Sequence, residues 1–302
     1  MNKKPLAIIG SCLMTDVLNA DTHQLRNYTY DWNTRYQGSI IRGLVPPGKI
    51  AERLYHDMYR QIENIKTKIL NKDPMEWYEY QILIQYSMVL KEPDIKSLIF
   101  NNDLPLILVD YGYEFINHYN FNHEEIDIHP NWNLVKSYFP NWFRLEIEKH
   151  LYKFDTTKTS TLQRHHRYKD FISYLEKSKK PVILLDDTFT PFSFDSHSNT
   201  VVKNLSLFNK EIPFFVFDQD GQEITLNSEM ALNVFNSFFS VAKKLFSKID
   251  NCYWLPVDKN TCFTDLNHRF GYHPAHLHHF SRAIIAKDLY ALMNEHYSRI
   301  IL

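Results

Sequence analysis

Leu6-Ala7-Ile8-Ile9-Gly10-Ser11-Cys12-Leu13-Met14-Thr15-Asp16 is the stretch that decides the fold. A short apolar run ends in Gly-Ser and passes at once into a helix-forming segment. Such a run reads as a strand buried on both faces. Its Gly-Ser end delivers a hydroxyl to the carboxyl edge of a sheet, where open α/β folds bind ligands. A serine there also shares the N–H groups of the following helix N-terminus, which favour developing negative charge. The bland alternative is a tight turn that takes a small residue for steric reasons alone.

Four further runs resemble the first: Leu104–Asp110, Lys180–Asp186, Ile212–Asp218 and Cys252–Val257. Between them lie helix-period segments at about 49–70, 76–90, 161–178, 228–249 and 280–296; in the fourth, Met230, Val234, Phe238, Val241 and Leu245 recur at helical spacing. Strands alternating with helices imply βαβ units and a doubly wound, mostly parallel five-stranded sheet. The segment 20–48 reads as irregular. So does 111–160, rich in Asn, His, Trp and Tyr, which reads as an aromatic insertion over the sheet edge. Large aromatic loops at such an edge commonly wall a pocket. No repeat or linker divides the chain, so residues 1–302 are expected to form a single domain.

Composition sets the outer bounds. A content of 44% hydrophobic and 23% charged residues is ordinary for a globular chain, and a formal net charge of −1 supplies no general attraction to nucleic acid or anionic membranes. Cys12, Cys252 and Cys262 have no paired spacing, which argues against a disulfide framework and for a reducing compartment. Lys3 and Lys4 precede a run too short and too interrupted for a signal peptide. No run approaches the ~18–20 apolar residues of a membrane span. The expectation is a cytoplasmic protein.

A second rich region follows the last apolar run: Thr264-Asp265-Leu266-Asn267-His268-Arg269-Phe270-Gly271-Tyr272-His273-Pro274-Ala275-His276-Leu277-His278-His279. In a parallel sheet this segment shares the carboxyl edge with Ser11. A histidine there can take the serine proton as general base, with a carboxylate fixing its tautomer. Asp265-x-x-His268 offers acid and base three residues apart.

These two ends resemble the SGNH/GDSL hydrolase-like superfamily, in particular a bacterial branch of uncharacterised proteins. The branch opens with Gly-Ser-Cys followed by Asp, matched by Gly10, Ser11, Cys12 and Asp16. It closes with Asp-x-x-His-[Lys/Arg]-[Trp/Phe]-Gly and Pro-x-His, matched by Asp265, His268, Arg269, Phe270, Gly271, Pro274 and His276. An aromatic-Arg segment corresponds to Thr34–Ser39, which includes Arg35. The resemblance implies a three-layer α/β/α flavodoxin-like fold and acyl-ester chemistry with Ser11 as nucleophile and no cofactor or metal. It implies His276 or His268 as base, Asp265 as the acid, and Gly10, Cys12, Asp16, Arg35 and Gly112 around the oxyanion or substrate. Counting back from the small residue Ala286 in the last helix reaches His276, whereas the literal Asp-x-x-His ends at His268. The superfamily's usual Gly-Asp-Ser reads Gly-Ser-Cys here. Its Gly-x-Asn oxyanion block has no counterpart, although Gly112-Tyr113-Glu114 follows the corresponding strand.

Other readings stand beside these. Asp110 and Asp186 end apolar runs, where acids often cap the next turn. Asp16 reads as a helix-surface acid or a partner of Arg35. The histidines His268, His273, His276, His278 and His279 admit a metal site, although no HExxH or cysteine spacing accompanies them, and Cys12 at a helix start admits a thiolate. The leading function is a serine esterase or O-acyltransferase acting on O-acyl groups of a carbohydrate or surface glycan. The alternative is a catalytically degenerate fold that binds a glycan or a partner enzyme.

Overall fold

A computed structural model describes residues 4–10, 12–20, 28–30, 34–37, 40, 44, 48–50, 52–59, 95–111, 117–121, 124–128, 137, 139–149, 166–186, 190, 192–203, 215–217, 223–225, 240, 242–258, 260–267 and 277–300. Along the chain the strands are β1 (Lys4–Pro5), β2 (Ala7–Gly10), β3 (Tyr28–Thr29), β4 (Arg35–Gln37), β5 (Ile107–Val109), β6 (Asn117–Phe121) and β7 (Glu124–Ile128). They continue with β8 (Val182–Leu185), β9 (Phe192–Asp195), β10 (Thr200–Lys203), β11 (Phe215–Phe217), β12 (Glu223–Thr225), β13 (Cys252–Leu255) and β14 (Thr264–Asp265). The helices are α1 (Cys12–Leu18), α2 (Ile95–Phe100), α3 (Asn141–Lys149), α4 (His166–Ser178) and α5 (His279–Ile300).

The protein is α/β, built on a five-stranded sheet in the order β13-β8-β5-β2-β4 with every pair parallel. Ile9 stands beside Val109 and Val109 beside Leu184, so the apolar runs lie in register across the middle of the sheet. The first of these strands along the chain, β2, lies between the second, β4, and the third, β5. The winding direction therefore reverses between β2 and β5, and such a switch point opens a crevice at the carboxyl ends of the two strands. Gly10 ends one of them and Asp110 follows the other.

Strand alternation divides the core in two. Ala7, Ile9, Ile107, Val109, Val182 and Leu184 cluster with Ile95, Leu98 and Ile99 of α2, with Tyr168, Phe171 and Leu175 of α4, and with Ala242 and Phe246 of a short helical stretch at 242–246. Leu6, Ile8, Leu106, Leu108, Ile183, Leu185 and Leu255 cluster instead with Leu13, Met14 and Val17 of α1 and with Ile285, Ala286, Leu289 and Met293 of α5. The helices form because these apolar positions recur at three and four residues, so one stripe of each meets the sheet. Burying each of these aliphatic side chains is worth about 1.5–3 kcal/mol.

Two elements differ from the sequence reading. The run Ile212–Asp218 does not supply a sheet strand: its β11 pairs antiparallel with β12 as a separate two-stranded ribbon. The fifth strand is instead β4, inside the segment expected to be irregular; it lies at the sheet edge, where one neighbour suffices and a continuous apolar run is not needed. The aromatic segment 111–160 also holds more regular structure than expected, with the antiparallel pair β6–β7 and helix α3. Of the helical expectations, 76–90 lies outside the described residues. Residues 49–50 and 52–59 are helical, and α4 and α5 fall where the periodicity placed them. Among the described residues no helix is long and apolar enough to cross a membrane.

Candidate functional site

The turn after β2 is shaped by a carboxylate beneath it. Gly10 has φ 139°, a backbone conformation that side-chain-bearing residues rarely adopt. A Cβ at Gly10 would stand 2.7 Å from both Cγ and Oδ1 of Asp110, and closer still to the Asp110 carbonyl oxygen. Asp110 itself is completely buried, and its N–H donates to the Ile9 carbonyl oxygen at 3.0 Å, extending the β2–β5 ladder. Its Oδ2 accepts the N–H of Met14, in the first turn of α1, at 3.3 Å. Asp110 does cap a helix, as acids at strand ends often do. The helix is α1, which begins 98 residues upstream, since Cys12 is its first residue.

Asp16 and Arg35 both act electrostatically on Tyr30. Burial raises the Tyr30 hydroxyl above its ordinary range, Arg35 lowers it, the hydrogen bond to Asn19 Oδ1 at 3.0 Å lowers it, and Asp16 raises it. Arg35 stands in register with Ile8 on the sheet. The acid of α1 and the cation of β4 thus act on one phenol.

The histidine-rich segment is held at both of its stems. Thr264 bridges Leu277, the His278 N–H donates to the Phe263 carbonyl oxygen at 2.9 Å, and the Phe263 N–H donates to Ser281 Oγ at 2.7 Å. On the other side β14 runs parallel to β9, with Leu266 N–H on the Phe194 carbonyl and a hydroxyl–hydroxyl contact between Ser193 and Thr264. Asp265 Oδ1 accepts the Asn267 N–H at 3.0 Å, and Asn267 Oδ1 in turn accepts from Ser196 N and Oγ. Leu277 joins the same apolar cluster as Leu13 and Met14. The residues that flank 268–276 on both sides are therefore held, and Leu277 packs in the core that anchors α1.

Of the sequence-predicted residues, Gly10, Cys12, Asp16, Arg35 and Asp265 are among those described, while Ser11, Gly112, His268 and His276 lie outside them. Cys12 opens α1. Burial pushes the Cys252 thiol up to about 12 and the Cys262 thiol up to about 11, which keeps both protonated at neutral pH. Among the described residues no three His, Cys, Asp or Glu side chains are grouped as ligands for a metal ion.

Two residues of the site were not among the expected catalytic or substrate-binding residues. Asp110 is one; the signal available for it was that it ends the strand next to β2. His278 is the other. It is 3% exposed, and its ring lies against Phe194, His279 and Phe280 at centroid separations of 4.5, 4.1 and 5.0 Å. Burial, His279 and Arg282 hold it below the usual histidine range, against the opposing pull of Asp265.

Comparison of the chain with protein-family models, with curated proteins and with solved structures finds no match.

Proposed function

We propose that this protein is a serine-dependent esterase or O-acyltransferase of the SGNH type, on a three-layer α/β/α flavodoxin-like fold, acting on O-acyl groups of a carbohydrate. The observation that carries the reading is the shared core cluster of Leu13, two residues after Ser11, and Leu277, one residue after His276. The chain segments bearing the proposed nucleophile and base are thereby anchored on the same side of the switch-point sheet. Asp265, on the other flank of residues 268–276, is the acid we assign to orient the base.

In this reading the Ser11 oxygen attacks the acyl carbon while its proton passes to His276 or His268. Collapse of the tetrahedral intermediate breaks the bond to the leaving alcohol, which takes the proton from the imidazolium. Water, or an acceptor hydroxyl, then repeats the sequence on the acyl-serine. Arg35 and Asp16 are the residues we assign to contact the sugar.

The test is turnover of p-nitrophenyl acetate and acetylated sugars by the wild type and Ser11→Ala. Loss of the nucleophile should lower kcat by roughly 10⁴–10⁶-fold, with the melting temperature nearly unchanged. Equal turnover by both proteins overturns the reading. A second reading, a glycan-binding module without catalysis, is favoured by Gly112-Tyr113-Glu114 standing where a Gly-x-Asn donor is expected, because a carboxylate cannot donate to an oxyanion. It predicts saturable sugar binding that Ser11→Ala leaves intact, with no ester turnover by the wild type.

A further inference from the structure

A serine immediately before a helix usually serves as its N-cap, accepting the N–H of the second or third helical residue with its hydroxyl. With Cys12 as the first residue of α1, Met14 is the third. Its N–H is already taken by Asp110 Oδ2, contributed by a strand end 96 residues away. The same carboxylate is the surface on which the Gly10 backbone rests, close enough that only a residue without Cβ fits. One side chain thus touches the chain on both sides of Ser11: Gly10 before it and Met14 after it.

The choice of an acid here is not explained by helix capping alone. Burying a carboxylate completely is costly unless it is well satisfied, and a serine or asparagine at the cap position satisfies a helix end without that cost. What the carboxylate adds is a second grip: the side chain that caps α1 also underlies Gly10.

We propose that Asp110 is the positioning residue of the segment that carries Ser11: by capping α1 through Met14 and bracing Gly10, it fixes the chain on both sides of the proposed nucleophile. The proposal rests on the esterase reading above. Asp110 touches neither acyl group nor base in this scheme; it acts through the backbone that carries Ser11.

The experiment uses the full chain with Asp110→Ala and Asp110→Asn, measuring kcat and KM for p-nitrophenyl acetate together with amide hydrogen exchange over residues 7–18 and, as an internal control, over 182–185. In Asp110→Ala the Met14 amide should exchange faster and kcat should fall by about 10²-fold, the scale of a small misplacement of a reacting group, with KM essentially unchanged. In Asp110→Asn, whose amide oxygen can accept the same N–H, protection and most of kcat should return. If Asp110→Ala fails to fold, Asp110→Asn decides: protected Met14 with wild-type kcat supports the proposal, and protected Met14 with lost kcat overturns it. Unchanged Met14 exchange in a folded Asp110→Ala, or faster exchange with wild-type kcat, also overturns it. A wild type inert toward esters, or a fully active Ser11→Ala, overturns the esterase reading instead, and the Met14 exchange then still reports whether Asp110 holds the turn.

Discussion

His278 packs its imidazole against Phe194 with ring centroids 4.5 Å apart, and its Nδ1 is buried with no hydrogen-bond partner among the described residues. A neutral ring suits that setting and an imidazolium does not. The folded protein holds His278 below its ordinary value of 6.5, chiefly by burial, so the unfolded chain binds the proton more readily. The stabilisation is therefore complete above about pH 6.5 and is lost as the pH falls from there through the depressed folded value. The nearby charges of Asp265, His279 and Arg282 set the balance. His278→Phe, which keeps the ring packing, should show a shallower loss of melting temperature than the wild type between about pH 7 and 5. Parallel curves would refute the assignment.

Gly10→Ala should be among the most damaging substitutions in the sheet. The new methyl meets Asp110 backbone and carboxylate rather than the end of a flexible side chain, and the backbone there has φ 139°. Overpacking and backbone strain each cost about 1–3 kcal/mol, so a loss of roughly 2–5 kcal/mol in urea unfolding is expected. A loss below about 1 kcal/mol would mean that the β2–β5 edge can spread at little cost.

Asn251 ties two carbonyls together. Its Nδ2 donates to Leu175 O at 3.1 Å and to Lys180 O, joining the end of α4 to the start of β8. Asn251→Ala leaves both acceptors without this donor and should cost about 1–3 kcal/mol. Asn251→Asp turns a donor into a carboxylate facing two carbonyl oxygens and should cost more. Chemical denaturation at neutral pH checks the ranking.

Lys179 follows α4 with φ 56°, and its N–H donates to the Glu176 carbonyl oxygen at 3.2 Å. Helices commonly end this way on glycine, which adopts that conformation without a Cβ penalty. The penalty is about 1–2 kcal/mol and the extra entropy of glycine in the unfolded chain returns about 0.5–1 kcal/mol. Lys179→Gly should therefore be stabilising by about 0.5–1 kcal/mol, readable as a higher denaturation midpoint; a lower midpoint would contradict it.

The central strands were legible because of where they lie. β2, β5, β8 and β13 form the sheet with every pair parallel, and β2, β5 and β8 are buried throughout, so their sequences are nearly continuous apolar runs. β4 lies at the edge and mixes Arg35 and Gln37 with the buried Tyr36, a pattern that carries no such signature. The run around Phe215–Phe217 misled for the opposite reason: apolar character marks burial, and the choice between a parallel neighbour and a local antiparallel one depends on where the chain goes next. At the site, the Gly10 turn was visible because the turn chemistry is local. The capping of Met14 by Asp110 was not, since nothing in either segment announces a bond across 96 residues. His278 stood among several histidines, and what separates it is packing against Phe194 of β9, far away in the sequence.

The Tyr297 hydroxyl donates to the Pro5 carbonyl oxygen at 3.3 Å, and Tyr297 shares a core cluster with Leu6 and Ile8. This has a consequence in time. The two residues are 292 apart, and at a synthesis rate of about 5–20 residues per second the second is made roughly 15–60 s after the first. During that interval α1 and then the sheet strands are made one after another, but the helix that completes the cover over Leu6, Ile8, Leu106 and Leu108 comes last. A nascent chain must keep its earliest strand from sticking elsewhere for nearly the whole of its own synthesis. The face that carries the Ser11 helix is the last to be closed.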